Sequence, residues 1–205
     1  PAMLHAMEGQ LVYRDHQGVL KIFIPDGRRM HLLDRGGSSP IGTRKRIAWL
    51  SADTLKTLTE GRARVLATNV AEFGVSDSLI VLHDTAMREL RVIHRRAAHI
   101  VAAVERGSER PQWLLGPDAM VFFNKEARRL SMYRRGKVRV LSDSTDVGIA
   151  VVGGGVVGWW DGHARVFKAI HGERELELSD LRPASAQAGS GLVAFVDGNG
   201  RLQCF

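Results

Sequence analysis

The chain has 205 residues, 44% of them hydrophobic and 25% charged, with 22 glycines; that is the composition of a globular chain, not a disordered one. No apolar run approaches the roughly 20 residues that span a bilayer, so no membrane span is expected. The formal charge is +7, arginine far outnumbers lysine, and the one cysteine, Cys204, excludes an internal disulfide and a cysteine-based zinc cluster.

The first residues, PAMLHAMEG, lack a basic segment followed by an apolar one, so no signal peptide is read there. With the single cysteine, the expected setting is a reducing, cytoplasmic one. AMLHA at 2–6 reads as a strand. LVYRDHQGVLKIF at 11–23 reads as a β-hairpin. Apolar and β-branched residues fill both arms. Asp15 sits at the turn, where a short polar side chain bonds its own backbone, and Gly18 permits positive φ there. DGRRMHLL at 26–33 follows as a further strand, opened by glycine and closed by leucine.

The hairpin then recurs. It is found at IAWLSADTLKTL (47–58), IVLHDTAMRELRVI (80–93), MVFFNKEARRLSMY (120–133), VGWWDGHARVFKA (157–169) and VAFVDGNGRLQCF (193–205). The turn residues Asp15, Ser51, Asp84, Asn124, Asp161 and Asp197 lie 36, 33, 40, 37 and 36 residues apart. The glycine-to-leucine strand recurs as EGRARVL, RGKVRVL and HGERELEL, and without glycine as HRRAAHIVA. A further strand precedes most hairpins: NVAEFGV, QWLLG and DVGIAVVGG. Residues 84–92 contain good helix formers, but the repeat reads them as a hairpin, and no long window shows helical spacing.

Four short strands per repeat of about 36 residues, six times over, resembles a β-propeller. The resemblance covers essentially the whole chain and is one of architecture. Trp160-Asp161 is the only WD pair and lacks the GH partner of WD40 blades, and Gly153-Gly154-Gly155 is not the kelch pattern. The expected fold class is therefore all-β: a six-bladed β-propeller of four-stranded antiparallel blades. One domain is expected over 1–205, with repeats at about 2–34, 35–67, 68–103, 104–142, 143–179 and 180–205. The last copy holds only three strands. Either the ring closes with a three-stranded blade, which is the favoured reading, or the chain is part of a longer one. Its outer strand, Arg201–Phe205, is read as an open edge suited to self-association.

The catalytic motifs are missing: no G-x-S-x-G, no P-loop, no H-E-x-x-H. Gly153-Gly154-Gly155 precedes no helix, so no phosphate cradle is expected. The eight histidines are scattered, and His94 and His99 are placed on opposite faces by strand alternation. No metal and no cofactor are expected. The turn acids are read as turn formers. Trp49, Trp113, Trp159 and Trp160 are read as packing between blades, with sugar stacking as the alternative.

The basic residues give the sharpest expectation. In an up-and-down blade, the turns joining strands one–two and three–four leave from one end, and the other connections from the opposite end. Arg28, Arg29, Arg95, Arg96, Arg134 and Arg135 fall at three–four turns, and Arg44, Lys45 and Arg46 at a one–two turn. They are expected to form an electropositive rim. The longest loops, at 34–40, 105–112 and 180–187, fall at the other end. The resemblance implies a ligand site around the channel mouth there, with Asp34, Arg35, Arg106, Glu109, Arg110, Asp143, Asp146, Asp180 and Arg182 as candidates. The expected function is a non-enzymatic protein–protein interaction scaffold with an acidic partner. A carbohydrate-binding propeller is the alternative, followed by a hydrolase with its site at the channel mouth. Nucleic acid is disfavoured, because exposed aromatics do not interleave with the basic turns.

Overall fold

The computed structural model describes residues 4–7 (backbone only), 9–25, 28–105, 111–143 and 149–205. They form six antiparallel sheets. The first comprises β1 (Leu4–Met7), β2 (Gln10–Arg14), β3 (Leu20–Ile24) and β4 (Arg29–Asp34). The second comprises β5 (Gly37–Gly42), β6 (Ile47–Ser51), β7 (Thr54–Thr59) and β8 (Arg62–Ala67). The third comprises β9 (Val70–Val75), β10 (Leu79–Asp84), β11 (Glu89–His94) and β12 (Ala97–Ala103). The fourth comprises β13 (Trp113–Leu115), β14 (Ala119–Asn124), β15 (Arg129–Arg134) and β16 (Lys137–Ser142). The fifth comprises β17 (Ala150–Gly153), β18 (Val156–Asp161), β19 (Val166–His171) and β20 (Arg174–Ser179). The sixth has three strands, β21 (Ser185–Gly189), β22 (Leu192–Val196) and β23 (Leu202–Cys204). Strand order follows chain order in every sheet. Among the described residues no helix is long and apolar enough to cross a membrane.

Burial explains the strand compositions. The second strand of a sheet is covered on both faces, so it reads as a continuous apolar run; every residue of β18, VVGWWD, is buried. The fourth strand is an edge, and the first four residues of β8 and of β16 are exposed.

The leucine that closes the fourth strand also has a structural cause. In each four-stranded sheet the pairing of third and fourth strands slips by one residue near the start of the third. The residue left over in this β-bulge is Leu33, Leu66, Val101, Leu141 or Leu178. A bulge bends its strand and re-aims the extra side chain. Leu33 and Leu141 are thereby buried although at least half of each strand is exposed.

The chain divides into two compact units, Pro1–Met87 and Arg88–Phe205. Within the first unit, Val12, Leu20, Ile22, Leu33, Ile47 and Trp49 form one buried cluster. Within the second, Val121, Leu130, Met132, Val157, Trp159 and Ile170 join the fourth and fifth sheets. Phe167, Val193 and Phe195 join the fifth and sixth. Gly153 and Gly154 lie against the backbone of Ala188 to Gly191, where any Cβ would collide. The glycine run thus lets two segments of backbone approach closely.

Two loops are shorter than expected. Residues 34–40 are mostly strand, with only Arg35 and Gly36 between β4 and β5. Ser39, at φ 50°, takes a bulge next to the buried Pro40, which has no N–H to offer a ladder. Likewise β21 begins at Ser185 and shortens the 180–187 loop.

Candidate functional site

The recurring turn carboxylates are structural. Asp15 Oδ1 accepts hydrogen bonds from the Gln17 and Val19 amides, and its Oδ2 meets Lys21 Nζ at 2.7 Å. Asp197 repeats this with the Asn199 and Arg201 amides and with Gln203 Nε2. Asp84 and Asn124 each accept one amide three residues on. Asp161 accepts the His163 and Ala164 amides and the Ser142 hydroxyl, and pairs with Lys168 at 3.0 Å.

Ser51 stands at the turn of the second sheet, where the others have Asp or Asn. The missing carboxylate comes from Asp34, at the end of β4. Asp34 Oδ2 meets Lys56 Nζ at 2.6 Å and accepts the Trp49 indole N–H at 3.2 Å, and Ser51 Oγ donates to its Oδ1. Asp34 and Ser142 hold the same register, opposite Leu20 and Leu130. Serine and carboxylate have exchanged places between the two junctions. Burial would raise the Asp34 carboxyl, but hydrogen bonds from Lys56, the Gly36 amide and Trp49 outweigh it and hold it at about 2. Asp34 was expected to line an open mouth; its side chain is instead 10% exposed and committed to this pair.

Of the expected rim, Arg28, Arg29, Arg44, Lys45, Arg95, Arg96 and Arg135 are exposed and Arg46 is partly buried. Lys45 faces Asp77 at 3.8 Å. Arg134 differs from the rest: its side chain is 11% exposed. It pairs with Asp118 at 2.7 Å and donates to the Gly155 and Gly172 carbonyls, clamping the fourth sheet to the fifth. It is a tie between sheets, not a free cation.

Of the other group, Arg35, Asp143, Asp180 and Arg182 are exposed, and Asp143 pairs with Arg129 at 2.6 Å. Arg106, Glu109, Arg110 and Asp146 lie outside the described residues. Residues of the expected open edge at Arg201–Phe205 form the outermost strand of the sixth sheet, where Val193 and Phe205 exchange backbone hydrogen bonds and Leu202 is 75% exposed.

His94 and His99 correct a sequence inference. They are on two strands joined by the tight Arg95-Arg96 turn, and the register puts both on one face. Their rings lie 6.2 and 5.6 Å from that of the fully buried Tyr133. Among the described residues no group of three His, Cys, Asp or Glu is placed to hold a metal. Trp49, Trp159 and Trp160 are buried and present no face to a sugar.

Backbone geometry shows what the sequence reading missed. Twelve described non-glycine residues have left-handed φ, and seven are arginine: Arg28, Arg88, Arg95, Arg96, Arg128, Arg135 and Arg165. Arginine is only 23 of the 205 residues. An L-residue with a Cβ pays about 1–2 kcal/mol in this region, which glycine avoids. The turn joining β11 and β12 has Arg95 at φ 51° and Arg96 at 72°, where the equivalent turns end in Gly61 at 73° and Gly136 at 86°. Strained residues at exposed turns cluster at functional positions. Arg88, Arg128 and Arg165 have no signature in a single sequence, because φ is not legible there.

Comparison with known proteins agrees with this architecture. The model of the 10-bladed beta propeller domain matches residues 1–205. No curated protein matches the chain. Among solved structures, Prp20p from Saccharomyces cerevisiae, described with its binding to Gsp1p and histones, is similar at a TM-score of 0.51 and 10% identity. The match covers 96% of this chain and 69% of that one. Hsv2 from Kluyveromyces lactis gives 0.49 and 11%, over 98% of this chain and 72% of that one. At such identities the likeness is one of fold. The family is described by ten blades and these residues form six sheets, so the closed six-bladed ring stays an expectation of the repeat count.

Proposed function

We propose that this chain, which belongs to the family of 10-bladed β-propeller domains, is a non-catalytic scaffold that binds an acidic protein partner through its arginine turns. The observation behind this reading is the set Arg28, Arg95, Arg96 and Arg135. Each is exposed at a turn between third and fourth strands, each takes a left-handed backbone conformation, and none has a side-chain partner among the described residues. Planar guanidiniums at turn tips suit bidentate pairing with carboxylates. A rigid sheet scaffold that presents variable turns is the usual setting for recognition. Prp20p, which shares the fold, is itself described as binding proteins.

The test is capture of partners by the full chain and by a variant with Arg28, Arg29, Arg95, Arg96 and Arg135 changed to glutamate. Arg134 is kept, since its loss would loosen the scaffold. Charge reversal should abolish recovery of partners that the parent retains. Equal recovery would remove these turns from the function.

A further inference from the structure

A second set of arginines lies at the opposite end of the sheets. In the third, fourth and fifth sheets, the loop between second and third strands has four residues and closes on Arg88, Arg128 or Arg165. Their φ values are 56°, 49° and 55°, so the same strained position holds arginine three times in succession. The loops of the first and sixth sheets reach their left-handed residue with Gly18 and Gly200 instead. All three arginines are exposed, and none has a side-chain hydrogen bond or ion pair among the described residues. Packing needs alone do not explain them.

The three belong to one compact unit and to sheets packed in sequence. Leu90, Ala102 and Val104 line a small cavity with Phe123 and Lys125, joining the third sheet's outer strands to the fourth. The Trp159 indole N–H donates to the Leu141 carbonyl at 3.2 Å, joining fourth to fifth.

We propose that Arg88, Arg128 and Arg165 form an anion-binding track for an extended acidic peptide. Packed sheets stand about 10 Å apart and an extended chain advances about 3.3 Å per residue. The track therefore matches carboxylates at about every third residue. Its surroundings favour a peptide over nucleic acid. The neighbouring loop residues of this unit include Lys125, Ala127, His163 and Ala164; none is a Phe, Tyr or Trp on which bases would stack. Exposed Glu126 sits in the middle loop. Its carboxylate adds a negative charge beside Arg128 in sequence, which disfavours a continuous polyanion. This track is independent of the turns invoked above, which lie at the other end of the sheets.

The experiment is fluorescence anisotropy on the full chain with a synthetic peptide of serine and alanine that has glutamate at every third position. A peptide of the same composition with its glutamates adjacent, and an oligothymidylate of equal charge, serve as controls. The spaced peptide is expected to bind best. Changing all three arginines to glycine, which relieves the backbone strain, should weaken that binding by about tenfold or more without lowering the melting temperature. Changing them to glutamine, which leaves the strain in place, should weaken it equally. Parental affinity in either variant, equal affinity for the two peptides, or tighter binding of the oligothymidylate would overturn the proposal. Arg28, Arg29, Arg95, Arg96 and Arg135 are untouched, so its failure leaves the proposed scaffold function standing, and the converse holds.

Discussion

The Asp34 carboxylate and the Lys56 ammonium meet at 2.6 Å where the first sheet packs on the second. Asp161 and Lys168 form the same pair at 3.0 Å within the fifth sheet. In the first case the carboxylate ends a fourth strand and serine stands at the turn; in the second serine ends the strand and aspartate stands at the turn. The pair, not either position, is what the architecture retains.

That exchange can be made by mutation. Asp34→Ser alone leaves Lys56 and the Trp49 indole without their acceptor and should cost about 2 kcal/mol, the scale of a lost hydrogen bond to a charged group. Adding Ser51→Asp rebuilds the arrangement of the fifth sheet and should recover most of the loss. Urea denaturation of the single and double variants measures both.

The same carboxylates set the acid limit. Asp34 is held at about 2 against an ordinary 3.8, and Asp15, Asp161 and Asp197 are also lowered. A group with a depressed folded value stabilises fully above its unfolded value and loses that contribution as pH falls through the folded one. Stability should thus be level above about pH 5 and fall steeply between about pH 4 and 2. Asp34 alone should contribute about 2 kcal/mol of that fall. Denaturation midpoints measured across this range, with Asp34→Asn as the comparison, should show a shallower decline in the variant.

Arg134 and Arg135 are neighbours with opposite fates. Arg134→Ala removes a nearly buried guanidinium with hydrogen bonds to Asp118, Gly155 and Gly172, and should destabilise by about 2–4 kcal/mol. Arg135→Ala removes an exposed side chain and should stay within about 0.5 kcal/mol of the parent. Thermal melts of the two variants separate these roles.

Gly153→Ala should be among the most damaging small substitutions in the chain. The added methyl meets the Ala188 carbonyl, a backbone atom that cannot rotate away. A loss of about 3 kcal/mol or more is expected, read as a melting temperature lower by roughly 6 °C or more for a chain of this size.

The propeller class was legible because its signals are local. Aspartate at a turn bonds the next amides, and the run VVGWW is apolar throughout because its strand is covered on both faces. The closing leucine was visible too, although its cause, a bulge, is a matter of register. What escaped the sequence depends on partners or on φ. Asp34 and Arg134 look like free loop charges until the adjoining sheet is in place. Alternation along a single strand places His94 and His99 on opposite faces, whereas a two-residue turn reverses the chain between them. Arg88, Arg128 and Arg165 look like ordinary surface charges, and only their left-handed backbone sets them apart.

The most direct test concerns the cost of the arginine turns. Arg95→Gly with Arg96→Gly gives that turn the residue with the lowest strain at both positions, so the variant should melt at or above the parental temperature. If those arginines are retained for binding, it should at the same time lose the acidic partners that the parent captures. A variant that is no less stable and captures those partners as well as the parent does would contradict the account.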